Sequence, residues 1–218
     1  MNKVVNQSVF LDQKTEYLLV TNSIRRHYNK DDVIIRAGEA GDTLFYIIRG
    51  SVSVTIESNE GRDLIVAYLD RGHFFGESGL FLENAPRTAW VRAREKTEVS
   101  AIPYSQFHQL AHQHSELLYG IGRQLVQRLM LTTDRNADFA FYDITRRLAR
   151  TLIRLLQQSR QEGATEMRCT RQELARMVGC SREMAGKALK ELHDRSLIAV
   201  DGKRITILEG MQTFLNDP

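Results

Sequence analysis

Apolar positions in the middle of the chain repeat with a helical period. Leu118, Ile121, Leu125, Leu129, Thr132, Asn136 and Phe139 recur at intervals averaging about 3.5 residues, the spacing of a coiled-coil seam. No Pro or Gly interrupts the run from Arg123 onward, and Arg123, Gln124, Gln127, Arg128 and Asp134 fall off the seam. The pattern predicts one long amphipathic helix from Ser115 to about Asn136, suited to the axis of a homodimer. Thr132 and Thr133 place hydroxyls where a zipper would carry Leu or Ile, and buried hydroxyls need partners. A hinge is expected just after them, at Asn136 to Ala140.

Before the helix the period changes to two. Short β-type runs at Val33 to Arg36, Leu44 to Arg49, Ser51 to Ser58, Leu64 to Leu69, Thr88 to Arg94 and Glu98 to Ile102 are separated by Gly38, Gly41, Gly50, Gly61 and Gly72. Alternation is plain in Val52, Val54, Ile56 and in Ala89, Val91, Ala93. Strands so spaced predict a small antiparallel barrel or jelly roll, with room for a pocket inside. Residues 57 to 61 read as a hairpin turn.

After the helix the period returns to helical. Ile144, Leu148, Leu152, Leu155 and Leu156 form a stripe, with Arg146, Arg147, Arg150 and Arg154 elsewhere around the helix; the simplest reading is a packing helix with a solvated basic face. Thr170 with Glu173 is a capping box opening a helix over Leu174, Ala175, Met177 and Val178. Gly179 ends that helix, and Ser181 opens another with Met184, Ala188, Leu189 and Leu192 inward. These two are a helix-turn-helix. Leu197 to Val200, the turn Asp201-Gly202 and Arg204 to Leu208 add an Asp-Gly hairpin and complete a winged helix.

The 218 residues suit a domain on each side of the central helix: residues 1–114, 115–140 and 141–218 are expected to be a β-roll, a dimerisation helix with its hinge, and a winged helix-turn-helix, an α+β chain overall. The formal charge is +3, with 16 basic and 16 acidic residues before position 137 and 14 against 11 after it. The excess lies with the helix-turn-helix, as double-stranded DNA would require. Two cysteines build no disulfide framework, and no basic leader with an apolar run precedes the first domain; a cytoplasmic protein with no membrane partner is expected.

One stretch departs from the strand pattern. Gly76-Glu77-Ser78-Gly79-Leu80-Phe81 is followed by Arg87-Thr88-Ala89-Trp90. The glycines allow close approach of backbone to a ligand, and a helical turn starting near Glu77 would aim N–H groups at a phosphate. Arg87 supplies a planar cation for two phosphate oxygens, Ser78 and Thr88 further donors, and Glu77 an acceptor for a ribose hydroxyl. A cupin-like metalloenzyme is the rival reading, on His73 and Glu77. A metal site of that kind needs about three or four ligands, and none join them. Neither an enzyme nor a resident metal is expected.

In this order, the motifs make the chain resemble the cyclic AMP receptor proteins, the catabolite activators of the bacterial family that includes the fumarate and nitrate regulators. The resemblance runs from about Arg26 to Ile207. It implies a homodimeric transcription regulator with cyclic AMP as allosteric ligand. The cyclic phosphate would lie on Arg87, Thr88 and Ser78, beside Gly76, the ribose 2′-hydroxyl on Glu77, and the base against Thr132 and the partner subunit's Thr133. Ser78 stands where the closest cyclic AMP binders tend to have Leu, and Thr88 where they usually have Ser. Cyclic di-GMP, or activity without ligand, is the alternative. RNA polymerase is an implied partner, through a loop equivalent to Gln157–Thr165.

Thr170, Arg171, Ser181, Arg182, Glu183, Lys187 and Lys203 are the candidate DNA contacts. Arg182 suits a bidentate bond to guanine and Glu183 a bond from cytosine N4, while Ser181, Arg171 and Lys203 suit phosphates. The resemblance implies half-sites similar to TGTGA. Lys187 stands where the family usually has a second Arg, and its point charge lacks the guanidinium fork.

Overall fold

The computed structural model describes residues 10–58, 60–158 and 165–216. They form two compact units, divided between Leu131 and Thr132.

The first unit is the expected roll. After α1 (Gln13–Thr21) come β1 (Ile24–Tyr28), β2 (Val33–Ile35), β3 (Thr43–Arg49), β4 (Ser51–Glu57), β5 (Asp63–Asp70), β6 (Phe74–Phe75), the single turn α2 (Ser78–Phe81), β7 (Trp90–Ala93), β8 (Thr97–Pro103) and α3 (Tyr104–Gln113). They build two four-stranded antiparallel sheets, ordered β1-β8-β3-β6 and β2-β7-β4-β5. Phe45, Ile47, Val52, Val91, Val99 and Phe75 fill the space between them. The opposite face of β3 offers Leu44 and Tyr46 to a second core, with Phe74, Phe107 and Leu117. Leu44 to Ile47 are therefore all buried, which explains why this strand reads as a continuous apolar run rather than an alternation. The hairpin turn sits one residue later than expected, where the Ser58 N–H donates to the Arg62 carbonyl (2.8 Å).

The central helix, α4 (Glu116–Phe141), is continuous. The expected seam does not form one face. Ile121 is fully buried and Leu125 partly so, both in the core under the roll, whereas Leu118 and Leu129 are exposed together with Tyr119, Val126 and Met130. Two stripes share the helix, and the sequence pattern superposed them. Gln124, expected off the seam, is fully buried. Its Oε1 accepts from the Phe74 N–H and its Nε2 donates to the Phe74 carbonyl, both at 2.7 Å. Because β6 is a two-residue edge strand, this amide satisfies backbone groups that a neighbouring strand would otherwise take.

The second unit holds the end of α4, then α5 (Ile144–Gln158), β9 (Glu166–Arg168), α6 (Arg171–Val178), α7 (Arg182–Asp194), β10 (Ile198–Asp201), β11 (Arg204–Ile207) and α8 (Met211–Asn216). The wing is three-stranded, ordered β10-β11-β9. Its turn is Gly202-Lys203, because Asp201 pairs with Arg204 inside the ladder. The winged helix closes on a core of Leu148, Leu152, Leu174, Ala185, Leu192 and Ile198.

Two expectations fail here. The hinge at Asn136 to Ala140 is helical, and the break falls at Tyr142-Asp143, where the Asp143 carboxylate accepts from the Arg146 N–H (2.8 Å) and caps α5. Nor is the basic face of α5 simply solvated. Asp138 is 3% exposed, accepts from Arg150 Nε at 2.5 Å and is ion-paired with Arg154 as well. Arg147 lies 4.6 Å from the Phe139 ring. The last turns of α4 are thus fastened to α5 by charge. Of the loop Gln157 to Thr165, residues 159–164 lie outside the described residues. Asp138→Ala leaves two guanidinium groups without their carboxylate and should destabilise the C-terminal unit by about 3 kcal/mol. An unchanged urea unfolding midpoint would show that the clamp is ornamental.

Candidate ligand pocket and nucleic-acid interface

The loop from Gly38 to Asp42 and the segment entering β7 are tied together by backbone. The Gly38 N–H donates to the Arg87 carbonyl (2.8 Å) and the Arg87 N–H to the Glu39 carbonyl (2.9 Å). That pairing turns the Arg87 side chain inward, where the residue is 8% exposed. Its Nη1 donates to the Gly76 carbonyl (2.7 Å) and the Tyr104 hydroxyl (2.9 Å), and its Nη2 to the Thr43 carbonyl (2.7 Å). The Tyr104 hydroxyl donates in turn to Gly76 O at 2.5 Å. Burial pushes the Tyr104 phenol above its ordinary pKa, against the opposing pull of Arg87, so it stays a donor.

Space around the guanidinium is reserved by absent side chains. A Cβ on Gly41 would sit 2.0 Å from Arg87 Nε, and one on Gly76 would sit 2.7 Å from Nη1. Gly76 also has φ +76°, which other residues rarely adopt. Among the described residues every hydrogen-bond partner of Arg87 is neutral, and no carboxylate lies within ion-pair distance of it. A buried cation with only dipoles around it favours an anion.

Glu77 and Ser78 follow Gly76 directly, and Ser78 opens the one-turn helix α2. Thr88 is exposed and precedes β7, two residues before the strand starts. Gly76 and Arg87 thus meet through a hydrogen bond, and Glu77, Ser78 and Thr88 are their immediate neighbours in the chain. Glu77 has a partner that sequence reasoning missed: Arg128 Nη1 donates to its Oε1 at 2.6 Å, and Arg128 also bonds the Phe74 carbonyl. Burial lowers the Arg128 pKa from its ordinary value and the Glu77 carboxylate raises it. Leu117, Ile121, Gln124, Leu125 and Arg128 recur at three, four and one, the one signal that could have found it. Thr132 and Thr133 lie on an exposed part of α4 in the other unit. His73 is turned to the Asp70 carbonyl (3.0 Å), and no group of three metal-binding side chains comes together among the described residues.

In the second unit the expected caps are present. Thr170 Oγ1 accepts from the Glu173 N–H (3.1 Å) while Glu173 Oε2 accepts from the Thr170 N–H (2.8 Å). Gly179 is left-handed with φ 70°. Ser181 Oγ accepts from the Met184 N–H (3.1 Å), so this hydroxyl caps α7 before it meets any phosphate. Arg171, Ser181, Arg182, Glu183, Lys187 and Lys203 are all exposed. Glu183 and Lys187 form a solvated ion pair at 2.9 Å, each more than three-quarters exposed. Met184 corrects the expected inward stripe. It is 45% exposed, and Ala185, fully buried, takes the inward place.

Residues 25–114 match the model of the cyclic nucleotide-binding domain and residues 146–211 that of the Crp-like helix-turn-helix domain. Over 195 residues the chain is 45% identical to the cAMP-activated global transcriptional regulator Vfr of Pseudomonas aeruginosa, covering 87% of this chain and 91% of that protein. The chain belongs to the cyclic AMP receptor protein family of transcription regulators. Its similarity to the CRP of Salmonella typhimurium is 39% over 199 residues, covering 90% and 94% of the two chains. Among solved structures, the c-di-GMP responsive global regulator CLP of Xanthomonas campestris matches with a TM-score of 0.82 at 39% identity, covering 90% of this chain and 99% of that one. This chain joins a cyclic nucleotide-binding domain to a Crp-like helix-turn-helix domain, the make-up of a transcription regulator rather than of an enzyme. No helix among the described residues is long and apolar enough to cross a membrane.

Because Gly41 leaves no room for a methyl group beside Arg87, Gly41→Ala should force the guanidinium out of its cradle and destabilise the N-terminal unit by about 1 to 3 kcal/mol. Thermal unfolding measures this, and a variant as stable as the parent would mean that the cradle yields freely.

Proposed function

We propose that this chain is a homodimeric, cyclic AMP-gated DNA-binding regulator of transcription, acting in the cytoplasm. The observation that carries the reading is Arg87: a cation almost wholly buried, hydrogen-bonded among the described residues to neutral groups, inside a cyclic nucleotide-binding domain. The cyclic phosphate is the anion such a charge favours. Ser78 and Thr88 supply neighbouring donors, and Glu77 takes the ribose 2′-hydroxyl. Thr132 and Thr133 are assigned to the base on the family resemblance alone. The exposed stripe Leu118, Tyr119, Val126, Leu129 and Met130 supports dimerisation through α4, since so much apolar surface on one helix favours burial.

A ligand hydroxyl on Glu77 shares the carboxylate that Arg128 holds through Oε1. Arg128 stands on α4, so occupancy is coupled to the helix by one ion pair, and differential affinity for two arrangements supplies the energy of gating. Thr170, Arg171, Ser181 and Lys203 hold phosphates, and Arg182, Glu183 and Lys187 read base edges. RNA polymerase is the proposed downstream partner.

Cyclic di-GMP remains a specific second reading, because CLP is c-di-GMP responsive at 39% identity. Isothermal titration of nucleotide-free protein with cyclic AMP, cyclic GMP and cyclic di-GMP separates the two. Cyclic AMP should bind best, and Arg87→Leu should weaken it a hundredfold or more, the equivalent of about 3 kcal/mol. Tighter binding of cyclic di-GMP, or undiminished affinity in Arg87→Leu, overturns the assignment. Thr132→Ala with Thr133→Ala should uncouple ligand from DNA: nucleotide-stimulated operator binding falls while the unliganded level stays the same. A double variant that responds as the parent does removes both residues from the switch.

A further inference from the structure

The exposed face of α7 carries one large apolar side chain among charged ones, Met184. It lies in the first turn, on the amide that the Ser181 cap fixes at 3.1 Å. Successive residues turn about 100° around a helix axis, so Arg182 and Met184 flank Glu183 on opposite sides. Lys187 is one turn on from both Glu183 and Met184. The core has no need of Met184: Ala185, Ala188, Leu189 and Leu192 already bury the inner stripe, at 4% exposure or less. An unbranched thioether held outward, beside groups suited to base edges, is an apolar contact waiting for an apolar partner. In the major groove the only such group is the thymine 5-methyl.

We propose that Met184 is a specificity-determining residue of this regulator, reading the 5-methyl group of a thymine next to the base pair that Glu183 or Lys187 contacts. The inference rests on the DNA-binding reading of α7 and deepens it. The N-terminal residues of a recognition helix are those that reach base edges, and Met184 is the third residue of this one. Its side chain has three rotatable bonds beyond the backbone, enough to follow a methyl group without moving the helix. Burying one methyl-sized group against apolar surface is worth about a fourfold change in affinity. That contact separates thymine from cytosine at a position where hydrogen bonds from Arg182 do not act.

The test removes only the methyl. Selection on randomised duplex DNA with the full-length, cyclic AMP-loaded protein first identifies the preferred half-site. Each thymine in it is then replaced by deoxyuridine, which keeps every hydrogen bond and lacks the 5-methyl group. For the parent, one such replacement per half-site should weaken binding about fourfold. For Met184→Ala, which empties an exposed position and leaves the core intact, the thymine and deoxyuridine sites should bind alike at that position. Two results overturn the proposal: a parent indifferent to every methyl, or a methyl effect that persists undiminished in Met184→Ala. Failure to select any DNA site at all would instead bring down the regulator reading, and this inference with it.

Discussion

The guanidinium of Arg87 is withdrawn from water with no carboxylate within ion-pair distance among the described residues, and much of the roll is arranged around tolerating it. Two backbone carbonyls and a phenol hydroxyl take its protons. Dipoles of this kind offset part of the desolvation cost of a buried charge without cancelling it. The backbone of Gly38 to Asp42 and of Gly76 converges on the group, and two missing Cβ atoms let it do so. A positive charge prepared in advance binds an anion with little reorganisation, and preorganisation is what turns contacts into affinity.

From that charge a short physical chain leads to the central helix. Gly76 accepts from Arg87, the next residue is Glu77, and Glu77 accepts from Arg128 on α4. Two residues back, Phe74 is held by Gln124 through both of its backbone groups and by Arg128 through its carbonyl. The edge strand β6 is therefore not free to shift relative to α4 without breaking three hydrogen bonds at once. Glu77 is joined to the same helix directly, by its ion pair with Arg128. Farther along the same helix, Asp138 fastens the last turns to α5 by two arginines.

What the sequence made legible was local. Alternation located most strands, Thr170 with Glu173 marked the start of α6 through a bond that spans three residues, and Gly179 marked its end. The Gly76 to Thr88 stretch exposed its chemistry because glycines, a carboxylate and an arginine sit close together in the chain. The misses were non-local. Gln124 and Arg128 look like solvated polar residues until Phe74, some fifty positions away, is brought beside them. Asp138 reads as a surface carboxylate, and Arg150 and Arg154 as a solvated face, until the helices meet. Met184 and Ala185 differ by one helical step, so an apolar stripe read by size favours the wrong one; it is Ala185 that joins the core of the winged helix. The strand β9 escaped for the same reason, since it pairs with β11 across more than thirty residues.

The two functional faces differ in how much energy is committed before any ligand arrives. Around Arg87 and Arg128, charges are buried and their partners fixed, so a substitution there disturbs interactions worth several kcal/mol. On α7 the Glu183–Lys187 pair is open to solvent, and such a pair contributes about 0.3 to 0.5 kcal/mol. Exchanging it for base edges costs correspondingly little. A rigid, electrostatically prepared pocket suits a small ligand that must be recognised whole. A solvated face with easily exchanged partners suits a long polyanion, where many weak contacts are compared across competing sequences and discrimination comes from the difference between sites.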